Sequence, residues 1–337
     1  MASEPYREST PEFSFSAVVA RIRAIPWFAW TIVGVLLVWL STRLTGEMQF
    51  PTEIFGLDTE VPLASWTNSA IDWTLAEFKP VFDQITAFIL QRILLPIEAF
   101  LLGIPWPVFL ATIAALGWLS TRSRLTTIVL VLLMAMIGTY GYWELAMITL
   151  AIIIASVLLA LSIGLPLGIL AAQYARVDMI LRPILDGMQT MPAFVYLLPA
   201  MMFFRLGKVP AVIATVVYAV PPLIRLTTLG IKGVSASAVE AAESYGATRG
   251  QILRDVEMPL ALPAIMAGIN QTTMMALAMV IIGSLVGAGG LGVEVLLALN
   301  RLDTGRAAEA GLSIVAMAII IDRITQGFAK RYEESIQ

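Results

Sequence analysis

An all-α, polytopic integral membrane protein of about eight transmembrane helices is the expected architecture, on three grounds. Hydrophobic residues make up 58% of the 337 and charged residues only 13%, against about a quarter in average chains, and the mean hydropathy is +0.85. Apolar runs close to bilayer-crossing length recur along the chain. Lysine and arginine divide unevenly between alternate connections, as in a chain threaded back and forth through a membrane. Cysteine and histidine are absent, which excludes thiol nucleophiles, disulfides, histidine bases and the usual zinc or copper ligand sets. A net charge of −3 gives no ground for a nucleic-acid partner.

Residues 1–23 are polar, of mixed charge, and carry Pro5 and Pro11, which fits a cytoplasmic tail. No small-residue cleavage site follows the next apolar run, so no signal peptide is expected. Residues 24–44 form an accessory transmembrane helix, whose apolar stretch over 26–44 has tryptophans suited to the membrane interface. Residues 45–104 form an external loop and amphipathic helices. Pro and Gly punctuate 46–62. Over 66–102, Ile71, Leu75, Phe78, Phe82, Ile85 and Phe88 recur at steps of three and four, with Asp72, Glu77, Lys79 and Asp83 between them. Breaks are expected near Pro80 and Pro96. The charges, Arg92 and Glu98 included, favour helices along the membrane surface over a crossing one.

Two transmembrane helices fill 105–141, at about 105–120 and 125–141. A core over 142–330 supplies spans at about 143–172, 190–205, 208–226, 261–286 and 307–327, and 331–337 are a cytoplasmic C-terminal tail. The 143–172 run exceeds what a bilayer needs, so it tilts or projects. The proline-bearing spans 190–205 and 208–226 belong inside the bundle, where neighbours satisfy carbonyls that proline leaves free.

Lysine and arginine set the orientation. With a cytoplasmic amino terminus, Arg7, Arg21, Arg23, Arg122, Arg124, Arg176, Arg182, Arg225, Lys232, Arg249, Arg254, Arg323, Lys330 and Arg331 fall inside. Only Arg43, Lys79, Arg92, Arg205, Lys208, Arg301 and Arg306 fall outside. Both termini and the polar loop over 232–260 are therefore expected in the cytoplasm.

That loop is the main departure from apolar texture. Ser237 with Glu240 three residues on predicts a capping box, Gly246 a left-handed helix end, and Thr248 with Gln251 a second capping box. Pro259 is expected to stop the second helix. The product is a small polar helix–turn–helix. Glu240, Glu243, Asp255 and Glu257 beside only two arginines speak against a DNA backbone, and a knob docking into a groove on a soluble partner is the better reading.

Glu240-Ala241-Ala242, three residues, Gly246, nine residues and Val256-Glu257-Met258-Pro259 resemble the EAA loop of ABC-importer membrane subunits, EAA-x3-G-x9-I-x-L-P. Val256 stands for the Ile and Met258 for the Leu. Further segments, Ile163 to Gly168, Asp186 to Tyr196, Pro221 to Thr227 and Met266 to Thr272, resemble the glycine betaine/proline betaine (quaternary amine osmoprotectant) branch of type I importer permeases. The resemblance runs from about residue 68 to 326 and implies a MetI-like core over 142–330. It also implies a cytoplasmic coupling loop (Glu240, Ala241, Ala242, Gly246, Val256, Met258, Pro259) that docks an ABC ATPase subunit. The implied assembly holds two ATPase copies, a second copy of this chain and an external substrate-binding protein, in the cell inner membrane. ATP and Mg are expected on the ATPase and no cofactor on this chain, which is then not itself an enzyme. The implied function is uptake of glycine betaine-like osmolytes by alternating access. A permease for methionine or another amino acid, and a secondary transporter without an ATPase, are the alternatives; neither mid-span carboxylates nor inverted repeats support the latter.

The remaining motifs are modest. Gly287 to Gly292 matches G-x-G-x-x-G, but comes after an apolar helix, so an external elbow is expected rather than a dinucleotide site. No P-loop motif occurs. The GxxxG pairs Gly164/Gly168 and Gly283/Gly287 predict close helix packing. Asn270, Gln271, Thr272 and Thr273 either line the translocation path or bond between helices. Met191, Pro192, Phe194 and Tyr196 are further path candidates, because aromatic faces suit quaternary ammonium groups. Asp322 and Arg323 are read as a paired or snorkelling helix end.

Overall fold

The computed structural model describes residues 27–45, 53–54, 57–58 and 63–336. The expected tail over 1–23 and most of the loop over 46–62 lie outside the described residues. The chain divides into two compact units, Met1–Asn68 and Ser69–Gln337. The first holds α1 (Trp27–Thr45), where the accessory helix was expected, and a hairpin of β1 (Glu53–Ile54) and β2 (Leu57–Asp58).

Helix α2 (Leu63–Phe88) leads into the second unit and continues through a π turn (Ile89–Leu94) into α3 (Leu95–Gly103). The expected breaks at Pro80 and Pro96 do not occur. Pro80 lies inside α2, and the helix widens just before Pro96, where the Leu95 N–H reaches Leu90 O, five residues back. The wider turn accommodates a ring that would otherwise press on the preceding turn. By length and composition the whole run over 63–103 is long and apolar enough to cross a membrane, where its charges predict helices along the surface. Its charged first half masks an apolar second half when the two are weighed together.

The rest of the unit is α4 (Trp106–Thr121), α5 (Arg124–Thr139), α6 (Trp143–Gln173), α7 (Ala175–Thr190), a 3-10 turn (Ala193–Tyr196) and α8 (Leu197–Phe204). Next come α9 (Lys208–Lys232), α10 (Ala236–Ser244), the single turn α11 (Arg249–Gln251), a π turn (Ile252–Glu257), α12 (Met258–Gly283), α13 (Leu291–Arg301) and α14 (Thr304–Ile336). This is a polytopic, almost wholly helical membrane protein. Among the described residues four runs are long and apolar enough to cross (63–103, Trp143–Gln173, Lys208–Lys232 and Arg249–Val286). The bent pair α7–α8 makes a fifth if it counts as one span. Helices α4 and α5, 16 residues each, rise only about 24 Å against the roughly 30 Å of a hydrocarbon core. By this criterion four or five runs are counted among the described residues, where about eight spans are expected.

The expected span over 190–205 is instead a sharp corner. Pro192 forces Met191 into extended conformation (φ −74°, ψ 135°), and the helices on either side meet at 110°. Helix α9 is the most enclosed of these four runs, lying between α6 and α12. Its approach to α6 depends on Gly164 and Gly168. A Cβ on Gly164 would come within 2.6 Å of Leu223, and one on Gly168 within 2.7 Å of Thr227. The expected packing role of this glycine pair is therefore met. Thr228 Oγ1 donates to Gly168 O at 3.0 Å across the same seam.

The alternation of helices gives the bundle two ends. One, the loop end, carries the turns at 121–124 and 173–175 and the loop at 233–257. At the far end Gly207 N–H donates to Val286 O at 2.8 Å, and Leu291 N–H donates to Thr149 Oγ1 at 2.8 Å. There the 287–292 segment is the expected elbow between helices, with Gly287, Gly289 and Gly290 at positive φ. Lys208 pairs with Glu98 at 2.6 Å, tying α9 to α3. Helix α13 beyond the elbow was not anticipated.

Candidate functional site

The loop end presents one built protrusion. Helix α9 stops at Lys232, and Ser235, extended at φ −60° and ψ 132°, precedes α10. The capping box expected from Ser237 and Glu240 is not formed. Ser235 takes the N-cap position two residues earlier, which puts Ser237 inside the first turn, where its hydroxyl no longer faces free N–H groups. The other end of α10 behaves as expected. Gly246, at φ 81°, donates to Glu243 O at 2.9 Å, and Ala247 N–H donates to Ala242 O at 3.1 Å, the paired bonds of a Schellman closure. Thr248 and Gln251 form the expected capping box, with Thr248 N–H donating to Gln251 Oε1 at 2.8 Å.

Pro259 does not stop the second helix. The chain runs from α11 through a π turn into α12, and the Met258 N–H reaches Leu253 O, five residues back, just before the proline. The same device stands before Pro96. The second short helix is therefore the stem of a long one, and the knob is fastened rigidly to α12.

The knob has two faces. Ile252 is buried, and Leu253 and Met258 pack against a small core of Ile231, Ala261 and Ile265 with Leu165 and Ile169 from α6. Val256 and Pro259 are half-buried beside them. On the opposite side Glu240, Ala241, Ser244 and Gly246 are exposed, Ala242 is half-buried, and Tyr245 stands 94% exposed at the tip. The family-like positions thus separate: Val256, Met258 and Pro259 seat the knob, whereas Glu240, Ala241 and Gly246 form its outer surface. Tyr245 escaped sequence reading, although a lone large aromatic in a polar loop is the residue type that anchors interfaces.

Beside the knob, Asp178 on α7 accepts from Arg182 and Lys232, each at 2.6 Å, which staples α7 to the end of α9. The Arg182 hydrogen bond first, and then that of Lys232, hold the Asp178 carboxyl down at about 2. Asp186 pairs with Arg225 across the same two helices.

The candidate path residues fall in two places. Met191, Pro192 and Phe194 are exposed at the α7–α8 corner, and Tyr196 is half-buried with its ring 5.9 Å from that of Tyr218. On α12, Asn270 donates to Asp322 Oδ1 at 3.3 Å and accepts from Thr325 Oγ1 at 3.0 Å. Gln326 also donates to Asp322, at 2.6 Å. Asn270 thus does interhelical bonding, and Asp322 has its partners there. Gln271 is exposed, and Thr272 is fully buried with no hydrogen-bond partner for its hydroxyl. The 193–196 turn touches α9 and α12. Among the described residues no three His, Cys, Asp or Glu side chains converge as a metal site requires.

A helical membrane bundle with a rigid, exposed knob on one end is the class of protein these features define. The chain belongs to the family of binding-protein-dependent transport system inner membrane components, whose model matches residues 164–334. It is 46% identical over 272 residues to the glycine betaine/proline betaine transport system permease protein ProW of Escherichia coli, covering 81% of this chain and 76% of that protein. It is 47% identical over 271 residues to the glycine betaine transport system permease protein OpuAB of Bacillus subtilis, covering 79% and 94%. Among solved structures, a chain of the MetNI methionine ABC transporter in an inward-facing conformation matches with a TM-score of 0.51 and 23% identity. The match covers 59% of this chain and 98% of that one, and supports the fold alone.

Proposed function

We propose that this chain is the permease subunit of an ATP-driven importer that takes up glycine betaine or a closely related quaternary amine by alternating access. The observation that carries the reading is the α10–α12 knob, spaced like an ABC coupling loop, in a chain 46% identical to a glycine betaine/proline betaine permease. The knob faces the cytoplasm and docks a separate ATPase subunit, of which two serve a pair of these chains. A binding protein delivers substrate at the far end. Glu240, Ala241 and Gly246 form the docking surface with Tyr245 as its anchor, and Ile252 and Met258 pass its movement directly into α12. ATP and Mg belong to the ATPase, and this chain performs no chemistry. Met191, Phe194 and Tyr196 at the α7–α8 corner, with Gln271 and Thr272 on α12, border the path. The methionine alternative is disfavoured because the segment Asp186 to Tyr196 resembles the betaine branch.

Gly246 supplies the test. No atom lies within 4 Å of a Cβ built there, so a substitution acts through the positive φ alone. Gly246→Val should cost about 1–2 kcal/mol locally and remodel the turn, whereas Gly246→Asn tolerates the left-handed conformation. In proteoliposomes with ATPase and binding protein, the Val variant should retain ATP hydrolysis and lose most betaine uptake. The Asn variant should keep both, and uptake by Val at the parental rate would count against the coupling role.

A further inference from the structure

At the loop end, the turn between α4 and α5 and the last turns of α14 enclose a pocket of about 430 Å³. Four cations line it, Arg122, Arg323, Lys330 and Arg331, together with Ser123 and Thr126. Among the described residues no carboxylate lines this space and none pairs with any of the four cations. Arg182, Lys208, Lys232 and Arg306 elsewhere each have such a partner. Arg331 donates to Leu119 O at the open end of α4, which fixes its guanidinium against the pocket. Ser123 caps α5 by accepting from Thr126 N–H at 3.3 Å, so the positive end of that helix lies at the same place. Arg122 is held at φ 54°, a conformation glycine adopts without cost, yet a long cationic side chain occupies it.

We infer that this pocket binds the phosphate of an anionic phospholipid from the leaflet at the loop end. Convergent, unneutralised cations at helix ends beside hydroxyl groups suit a phosphodiester. Basic pockets between transmembrane helices are where anionic headgroups are recognised. A free phosphate anion shares this chemistry, but the pocket opens at the ends of membrane helices, where acyl chains hold a headgroup at high local concentration.

The test uses the full chain purified in mild detergent and offered phosphatidylglycerol and phosphatidylcholine together, with retained lipid read by native mass spectrometry. The parent should retain phosphatidylglycerol selectively. Arg122→Gly with Arg323→Gln and Lys330→Gln removes three charges, and at about 1 kcal/mol each should weaken that retention about a hundredfold. The pair Arg176→Gln and Arg254→Gln, exposed cations away from the pocket, should leave it unchanged. Unaltered melting of the triple variant separates lipid loss from unfolding. If it fails to fold, Arg323→Gln alone should show about a fivefold loss. Retention by the triple variant equal to the parent's, equal loss in the control pair, or stripping of the lipid by millimolar inorganic phosphate would each overturn the assignment.

Discussion

Replacing Gly168 by alanine places a Cβ 2.7 Å from Thr227 Cβ, 2.9 Å from its Cγ2 and 3.1 Å from Ile224 O. Ordinary carbon contacts lie at about 3.5–4.0 Å, so α6 and α9 must separate by about 1 Å at their seam. Overpacking of this kind costs about 1–3 kcal/mol. The bond from Thr228 Oγ1 to Gly168 O loosens with it, adding about 1 kcal/mol, while alanine's better helix propensity returns about the same. The net expectation is a loss of about 2 kcal/mol, or roughly 4–8 °C in melting temperature. Gly187→Ala is the counterpart: it lies in α7 with nothing within 4 Å, and should raise the melting temperature by about 1–3 °C. Thermal denaturation of the purified full chain, monitored by size exclusion, reads both. Shifts of the same sign in the two variants would refute the close-packed seam.

The Glu98–Lys208 pair, with side chains 12% and 26% exposed, should make either Glu98→Gln or Lys208→Met destabilising by about 2–3 kcal/mol, with much of the loss recovered in the double variant. A double-mutant cycle on melting temperature measures this, and additive losses would count against the pair. Asp178 titrates at about 2 in the folded chain, below the ordinary carboxylate value of about 3.9. Its stabilisation is therefore present above about pH 4 and fades as the pH falls toward 2. Asp178→Asn should be less stable than the parent at neutral pH and match it near pH 2, as read by acid titration of α7 protection. Asn270→Ala leaves Asp322 and Thr325 short of one partner each and should lower stability by about 1–2 kcal/mol without abolishing uptake, which separates bonding from path lining.

Much of this was legible because the signals are local. Long apolar runs mark α6, α9 and α12, Gly246 can close α10 only through positive φ, and Thr248 with Gln251 can cap only the turn that begins at Arg249. The features that escaped depend on tertiary context. Pro96 and Pro259 read as helix breakers, yet a helix tolerates proline just beyond a π turn. That register shift leaves no mark in composition. The corner at Met191–Pro192 is hidden within an apolar run that looks like one span. Ser235 and Ser237 are equally good caps on paper, and the choice depends on where α9 ends. The amphipathic and apolar halves of 63–103 merge because no polar break separates them. Tyr245 at the tip and the Asp178 staple arise only in the folded chain, since exposure at a tip and ion pairs over 54 residues of sequence have no periodicity.

The most direct measurement is uptake of labelled glycine betaine into proteoliposomes holding this chain with an ABC ATPase and a binding protein, with ATP on the knob side only. Uptake that requires both partners and ATP, and that ceases when Tyr245→Cys is cross-linked to the ATPase, is the predicted result. Accumulation by the chain alone, or an uptake indifferent to which side ATP is on, would contradict the account.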